Sequence, residues 1–230
     1  MQIVLLRHGR PDILEYGKMN ATEFSRYVES YNSAGIAKNH KPSKEAIEIA
    51  YSCNTVVCSD LLRSIKSARL LDVNEIDYIE PVFREVELPH GRFPVLRLSP
   101  NIWAVYFRVL CFFGYSSNGE SLGEGKSRAS KAANKLKQIA ENNGSVLLVG
   151  HGFTNRLIAK DLLSSGWQGP ANPGNQFWEF GVYKNTQHNQ SLNRKLRYRG
   201  ALPVNSGVIR KNQTENVNGI CKANINKRSN

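Results

Sequence analysis

Two short stretches of the chain could do chemistry together: Arg7-His8-Gly9 and Gly150-His151-Gly152. Each closes an apolar run, Gln2 to Leu6 and Ser145 to Val149, that reads as a buried strand. The glycine after each histidine lets the backbone turn and approach a ligand closely. Ligands of open α/β sheets bind beyond the carboxyl ends of the strands, so two such strands bring two imidazoles to one edge. Thr55 to Ser59 reads as a third strand, followed by a helix from Asp60 to Ala68 behind a Ser/Asp cap. Arg63 falls in the first turn of that helix, near the positive end of its dipole, where a cation makes sense if an anion is close.

Imidazoles and arginines at one sheet edge suit phosphoryl transfer. That chemistry needs a nucleophile in line with phosphorus, cations around the equatorial oxygens and an acid for the leaving oxygen. His8 is the candidate nucleophile. One ring nitrogen must be unprotonated, and a backbone carbonyl accepting from the other would fix that tautomer. Arg7 and Arg63 are the candidate phosphate ligands, through bidentate bonds that lysine cannot reproduce. His151, as an imidazolium, is expected to stabilise charge on the oxygens. Read one by one, these residues are a strand-capping histidine and ordinary ion pairs; their joint placement is the argument. No metal and no cofactor is expected, because the cations repel a metal and no carboxylate cluster is evident.

The set Arg7-His8-Gly9, Ser59-Asp60-Leu61-x-Arg63-Ser64 and Val149-Gly150-His151-Gly152 resembles the motifs of the histidine phosphatase superfamily, the phosphoglycerate-mutase-like fold, over residues 1 to about 185. The resemblance implies an α/β protein: a three-layer α/β/α sandwich with a mostly parallel central sheet. It implies a phosphatase acting through a phosphohistidine on His8. It also implies a glutamate acid between the arginine motif and the second histidine. Glu85, in Phe83-Arg84-Glu85-Val86-Glu87, matches that position, with Glu87 as its rival. Beside an anionic phosphate its pKa would rise, which suits an acid. Mutases of the superfamily carry a Glu-Arg-x-Tyr-Gly-like stretch after the acid. This chain has Leu88-Pro89-His90-Gly91-Arg92-Phe93-Pro94 instead, which favours hydrolysis of a small-molecule phosphate ester. A phosphomutase and a weakly catalytic phosphate-binding domain are the alternatives.

The elements needed to position these residues follow from periodicity. Helices are expected over 21–34, 43–51, 61–71, 102–113, 121–142 and 153–164. The 102–113 helix is read as buried core. Ser121 fits a capping box, and Glu120-Ser121 resembles a pair found near the site in related phosphatases. Short extended pieces are expected at 76–79 and 82–86, and a final strand at 177–183. The amides of Thr154 and Asn155 are expected to face the anion. Arg10 adds positive charge at the mouth and suits a second anion on the substrate. His90 is a candidate for the mouth or for solvent; His40 and His188 read as surface residues.

From about Thr186 the periodicity ends, which sets a catalytic domain over 1–185 and a basic tail over 186–230 expected to be disordered. From Arg194 onward nine Lys/Arg face one acidic residue, Glu215, so +8 of the chain's net +12 sits there. The tail lacks the interleaved aromatics of single-strand binders, so no nucleic-acid role is expected. Cys53, Cys58, Cys111 and Cys221 match no metal or disulfide pattern. No signal peptide or membrane span is expected, which makes the cytoplasm the default. The sequence does not address oligomeric state.

Overall fold

The computed structural model describes residues 1–185 except 15, 74, 92–94 and 118. The elements run β1 (Gln2–Arg7), α1 (Ala21–Ser33), α2 (Lys44–Tyr51), β2 (Thr55–Cys58), α3 (Leu62–Leu70), β3 (Tyr78–Ile79), a 3-10 turn (Pro81–Phe83), α4 (Pro100–Phe112), α5 (Leu122–Asn143), β4 (Ser145–Gly150), α6 (Gly152–Ser164) and β5 (Phe180–Lys184). The strands form one sheet in the order β3-β2-β4-β1-β5, with β5 antiparallel and every other pairing parallel. The expected basic tail and His188 lie outside the described residues.

Side-chain alternation on the strands builds the three layers. Ile3, Leu5, Val57, Val146 and Leu148 face α5 and α6, where Ala132, Ala133, Leu136, Ile158 and Leu162 cover them. Val4, Leu6, Val56, Cys58, Leu147 and Val149 face the opposite layer and pack on Ala46, Ala50, Ala68 and Leu71. Strands buried on both faces must be apolar throughout, which is why these runs carry no polar alternation. A third, separate cluster of Met19, Ala21, Phe24, Trp103 and Phe107 joins α1 to α4.

Two expectations need correction. The extended piece expected over 82–86 is interrupted at its start: Pro81, with its fixed φ, starts a 3-10 turn over Pro81–Phe83, and the backbone is extended again at Arg84 (ψ 156°). α4 is only half core. Trp103, Phe107 and Cys111 are buried, whereas Val105 and Val109 are 64% and 47% exposed. Among the described residues no helix is long and apolar enough to cross a membrane. Cys53, Cys58 and Cys111 are free thiols.

Candidate active site

The register of β1 on β4 decides where the two histidines go. Arg7 lies opposite Gly150, and the His8 amide donates to the Gly150 carbonyl at 3.1 Å. The next residue on each strand, His8 and His151, therefore leaves the sheet side by side. Their rings stand 5.0 Å apart, edge to face, and are 2% and 0% exposed. Asn155 ties the two strand ends together, donating to the Leu6 carbonyl at 3.1 Å and accepting from the His151 amide at 3.3 Å.

His8 Nδ1 lies 2.7 Å from the Gly9 carbonyl, so it carries the proton and donates there. Nε2 is left with a lone pair, which faces Arg63 Nε at 3.3 Å. Gly9 is required by close approach, since a Cβ there would meet the Trp178 ring at 2.5 Å. The Ser67 hydroxyl, itself donating to the Arg63 carbonyl at 2.7 Å, accepts from the Gly9 amide at 2.8 Å and knits this loop to α3.

Arg63 is 1% exposed. It donates to the Tyr31 and Asn32 carbonyls at 3.1 and 3.4 Å, and its guanidinium stacks 4.8 Å from the Tyr31 ring centre. Arg7 lies over the Phe177 ring at 4.4 Å and donates to the Asn175 carbonyl. Its Nε is buried without a partner. Among the described residues neither guanidinium pairs with a carboxylate. A buried cation without a counter-charge is costly, so the arrangement favours an external anion.

The expected Ser/Asp cap of α3 is not formed. Leu61 is the N-cap with no side-chain bond. Ser59 instead bonds His151 Nε2 at 2.6 Å, and Asp60 takes a bidentate pair from Arg84 at 2.6 Å on each oxygen. The imidazolium expected of His151 is not a property of the protein by itself. Burial, then Arg63, Arg7 and Arg128, hold His151 well below its ordinary pKa, so the protein keeps it neutral. His8 is lowered in the same way by burial, His151 and Arg63, which keeps its Nε2 lone pair free of a proton.

Glu85 sits at the N-terminus of α6. Its oxygens accept from the Thr154 amide at 2.8 Å, the Thr154 hydroxyl at 3.0 Å and the Phe153 amide at 3.1 Å. Burial pushes its carboxyl up, but the Arg108 charge and these bonds outweigh burial and leave it below the ordinary value. The upward shift expected beside a phosphate is thus not a property of the protein alone. The Thr154 amide faces this carboxylate, and the Asn155 amide bonds the His151 carbonyl at 2.9 Å, so neither amide is free to face an anion as expected. Glu87, the rival, is exposed on the cavity rim.

Arg128 holds the acid-bearing segment. It donates to the Val82 carbonyl at 3.1 Å and the Glu85 carbonyl at 3.2 Å, and pairs with Glu120 at 2.7 Å. Ser121 makes the capping box. Arg10 is exposed and, like His8 and His151, is not among the side chains that line the cavity in front of Arg7 and Arg63. His90 is partly buried, and it too does not line the cavity. His40 is not a bare surface residue: Trp178 donates to its Nδ1 at 2.8 Å, and the rings stack.

Sequence reasoning missed Arg108, Thr154 as a ligand of Glu85, and the 174–179 segment that backs Arg7. Arg108 lies 4.2 Å over the Phe153 ring, and its Nη1 is buried without a partner. Its position inside an apolar helix was the one available signal. Among the described residues no group of three His, Cys, Asp or Glu side chains could hold a metal.

The profile of the histidine phosphatase superfamily, branch 1, matches residues 3–189. No curated protein sequence matches the chain. Among solved structures, a mycobacterial glucosyl-3-phosphoglycerate phosphatase in complex with VO3 is 18% identical, with a TM-score of 0.51 over 79% of this chain and 91% of that one. The YhfR protein of Bacillus stearothermophilus is 13% identical, with a TM-score of 0.51 over 80% and 95%. Mycobacterial hydrolase 1 is 18% identical, with a TM-score of 0.50 over 80% and 97%. At these identities the likeness is one of fold.

Proposed function

Because the chain belongs to the histidine phosphatase superfamily, we propose that it hydrolyses phosphate monoesters through a phosphohistidine on His8. The observation that carries this reading is the pair of guanidiniums, Arg7 and Arg63, that meet no carboxylate beside a neutral histidine whose free lone pair faces one of them. A phosphoryl group supplies the missing counter-charge, and its arrival replaces the long Arg63–His8 bond.

In the first step His8 Nε2 forms a bond to phosphorus and the ester P–O bond breaks. The electron pair leaves on the alcohol oxygen, which takes a proton from Glu85. In the second step a water oxygen attacks phosphorus and gives its proton to Glu85. The N–P electron pair returns to Nε2 and inorganic phosphate leaves. Arg7, Arg63 and His151 hold the equatorial oxygens through both steps. Glu85 is ionised in the protein by itself, so its proton arrives with the monoanionic ester. As the phosphoryl group settles among the arginines its like charge raises the carboxyl pKa, and the proton passes across.

The test is turnover of an aryl phosphate in excess chelator, with inhibition by vanadate and an acid-labile phosphoryl group trapped on His8. Turnover that survives His8→Ala, or that needs added metal, rejects the reading.

A further inference from the structure

The cavity in front of Arg7 and Arg63 measures about 1240 Å³. That exceeds the ordinary range of ligand pockets and leaves most of the space to the rest of the substrate. Each of its two side walls carries apolar side chains beside polar ones, Asn32 on α1 and Asn101 and Arg108 on α4. α1 contributes Phe24, Tyr27 and Val28; α4 contributes Ala104, Val105 and Val109. Val105 and Val109 are 64% and 47% exposed, although they belong to a helix whose opposite face is fully packed. Apolar side chains left in water beside a polar reaction centre gain by covering one another with an apolar ligand.

The cations along the same cavity are largely engaged. Arg84 is held by both oxygens of Asp60 at 2.6 Å. Arg128 is held by Glu120 and by backbone carbonyls. Arg156 donates to the Asn175 side chain. Arg108 lies against Phe153 and donates to the Val86 carbonyl at 3.1 Å, with the charge of Glu85 beside it. Glu87 and Glu124 also line the cavity and repel anions. Beyond the phosphoryl site, therefore, the α1 and α4 walls offer hydrocarbon, and among the cations the buried Nη1 of Arg108 is left without a partner.

Building on the phosphatase reading, we propose that the ester's alcohol is an extended apolar or aromatic group lying between α1 and α4.

The n-alkyl phosphates from ethyl to octyl test this, because their alcohols have nearly the same pKa and only the length of hydrocarbon changes. Once the chain reaches the α1–α4 walls, kcat/KM is expected to rise about threefold per methylene. 3-Phosphoglycerate is expected to react at least about tenfold more slowly than butyl phosphate, since it offers the apolar walls less hydrocarbon. Val105→Asp and Val109→Asp, checked for folding by circular dichroism, are expected to flatten the series.

Binding of ethyl- to octylphosphonate by calorimetry gives the same progression without any reaction. A flat phosphonate series, or preference for the carboxylate-bearing ester, overturns the inference and leaves the phosphatase reading standing. No turnover of any ester, beside a steep phosphonate series, overturns the phosphatase reading and leaves the apolar wall standing.

Discussion

The cavity has two kinds of wall, and they are held in different ways. At the sheet end, the candidate reacting side chains are held by directional bonds, most of them to backbone. His8 is oriented by the Gly9 carbonyl, Arg63 by two carbonyls of α1, and Glu85 by two amides of α6. The Gly9 carbonyl and the α6 amides lie where β1 and β4 leave the core sheet, and only the Arg63 anchors come from α1. The α1–α4 wall rests instead on its own small aromatic cluster, in which Phe24, Trp103 and Phe107 stack within 6.2 Å of one another. Its cavity face presents side chains that make few directional bonds. The division places chemistry on a frame that tolerates little displacement. Substrate choice falls to a face where one apolar residue can replace another without disturbing that frame.

If this division is right, damage at the sheet end removes turnover of every ester alike. His8→Ala is expected to lower kcat by about 10⁴-fold or more, as loss of a nucleophile does. The alkyl-chain dependence of binding should be untouched. Glu85→Gln should cost about 10²- to 10⁴-fold with alkyl esters. With 4-nitrophenyl phosphate, whose alcohol leaves without a proton, the loss should be far smaller; equal losses on both esters would remove Glu85 from the acid's role. Arg63→Lys should cost about 10²- to 10³-fold on alkyl and aryl esters together, since one charge remains but the fork is lost.

The other wall should answer differently. Phe107 is fully buried in the aromatic cluster, and Phe107→Ala is expected to cost about 3–5 kcal/mol of local stability. In hydrogen exchange the loss should appear in the amides of α4 and α1 and spare β1 and β4. An equal loss in the strands would show that the two regions unfold as one, and the contrast would fail.

pH provides the mildest test. Activity should fall above about pH 6, where the ester loses the proton that Glu85 requires. Stability should run the other way. His8 and His151 are kept neutral by burial and nearby cations, so the unfolded chain binds more protons than the folded one below its ordinary histidine pKa. Their contribution is fully present above about pH 6.5 and lost on acidification, by up to about 1.4 kcal/mol per pH unit for each ring. Glu85 adds stability that is present above the ordinary carboxylate pKa and lost at still lower pH, as its carboxyl is protonated. A denaturant midpoint that rose as pH fell from 7 to 5 would contradict the neutral imidazoles.

Much of the frame was legible along the chain. The apolar runs at 2–6 and 145–149 are strands because they are buried on both faces, and the helical spacing of 21–34 and 121–142 marks one buried stripe each. Where an element's state depends on a distant partner, local pattern failed. Ser59 and Asp60 look like a helix cap, yet His151 and Arg84 compete for them from far along the chain and win. Residues 102–113 look like core because both faces of α4 are apolar. Only the packing shows that one face covers Phe24 and the other borders the cavity. Arg108 carried no motif, and the 174–179 segment has no periodicity to betray that it backs Arg7.

By itself the sequence determined which residue types stand at the ends of the strands, because strand formation depends on neighbouring side chains and the position of a glycine. Tertiary structure alone decided the register that sets His8 beside His151, the neutral state of both rings and the ionised state of Glu85. Those properties come from burial and from charges supplied by other elements. No local stretch of the chain contains them.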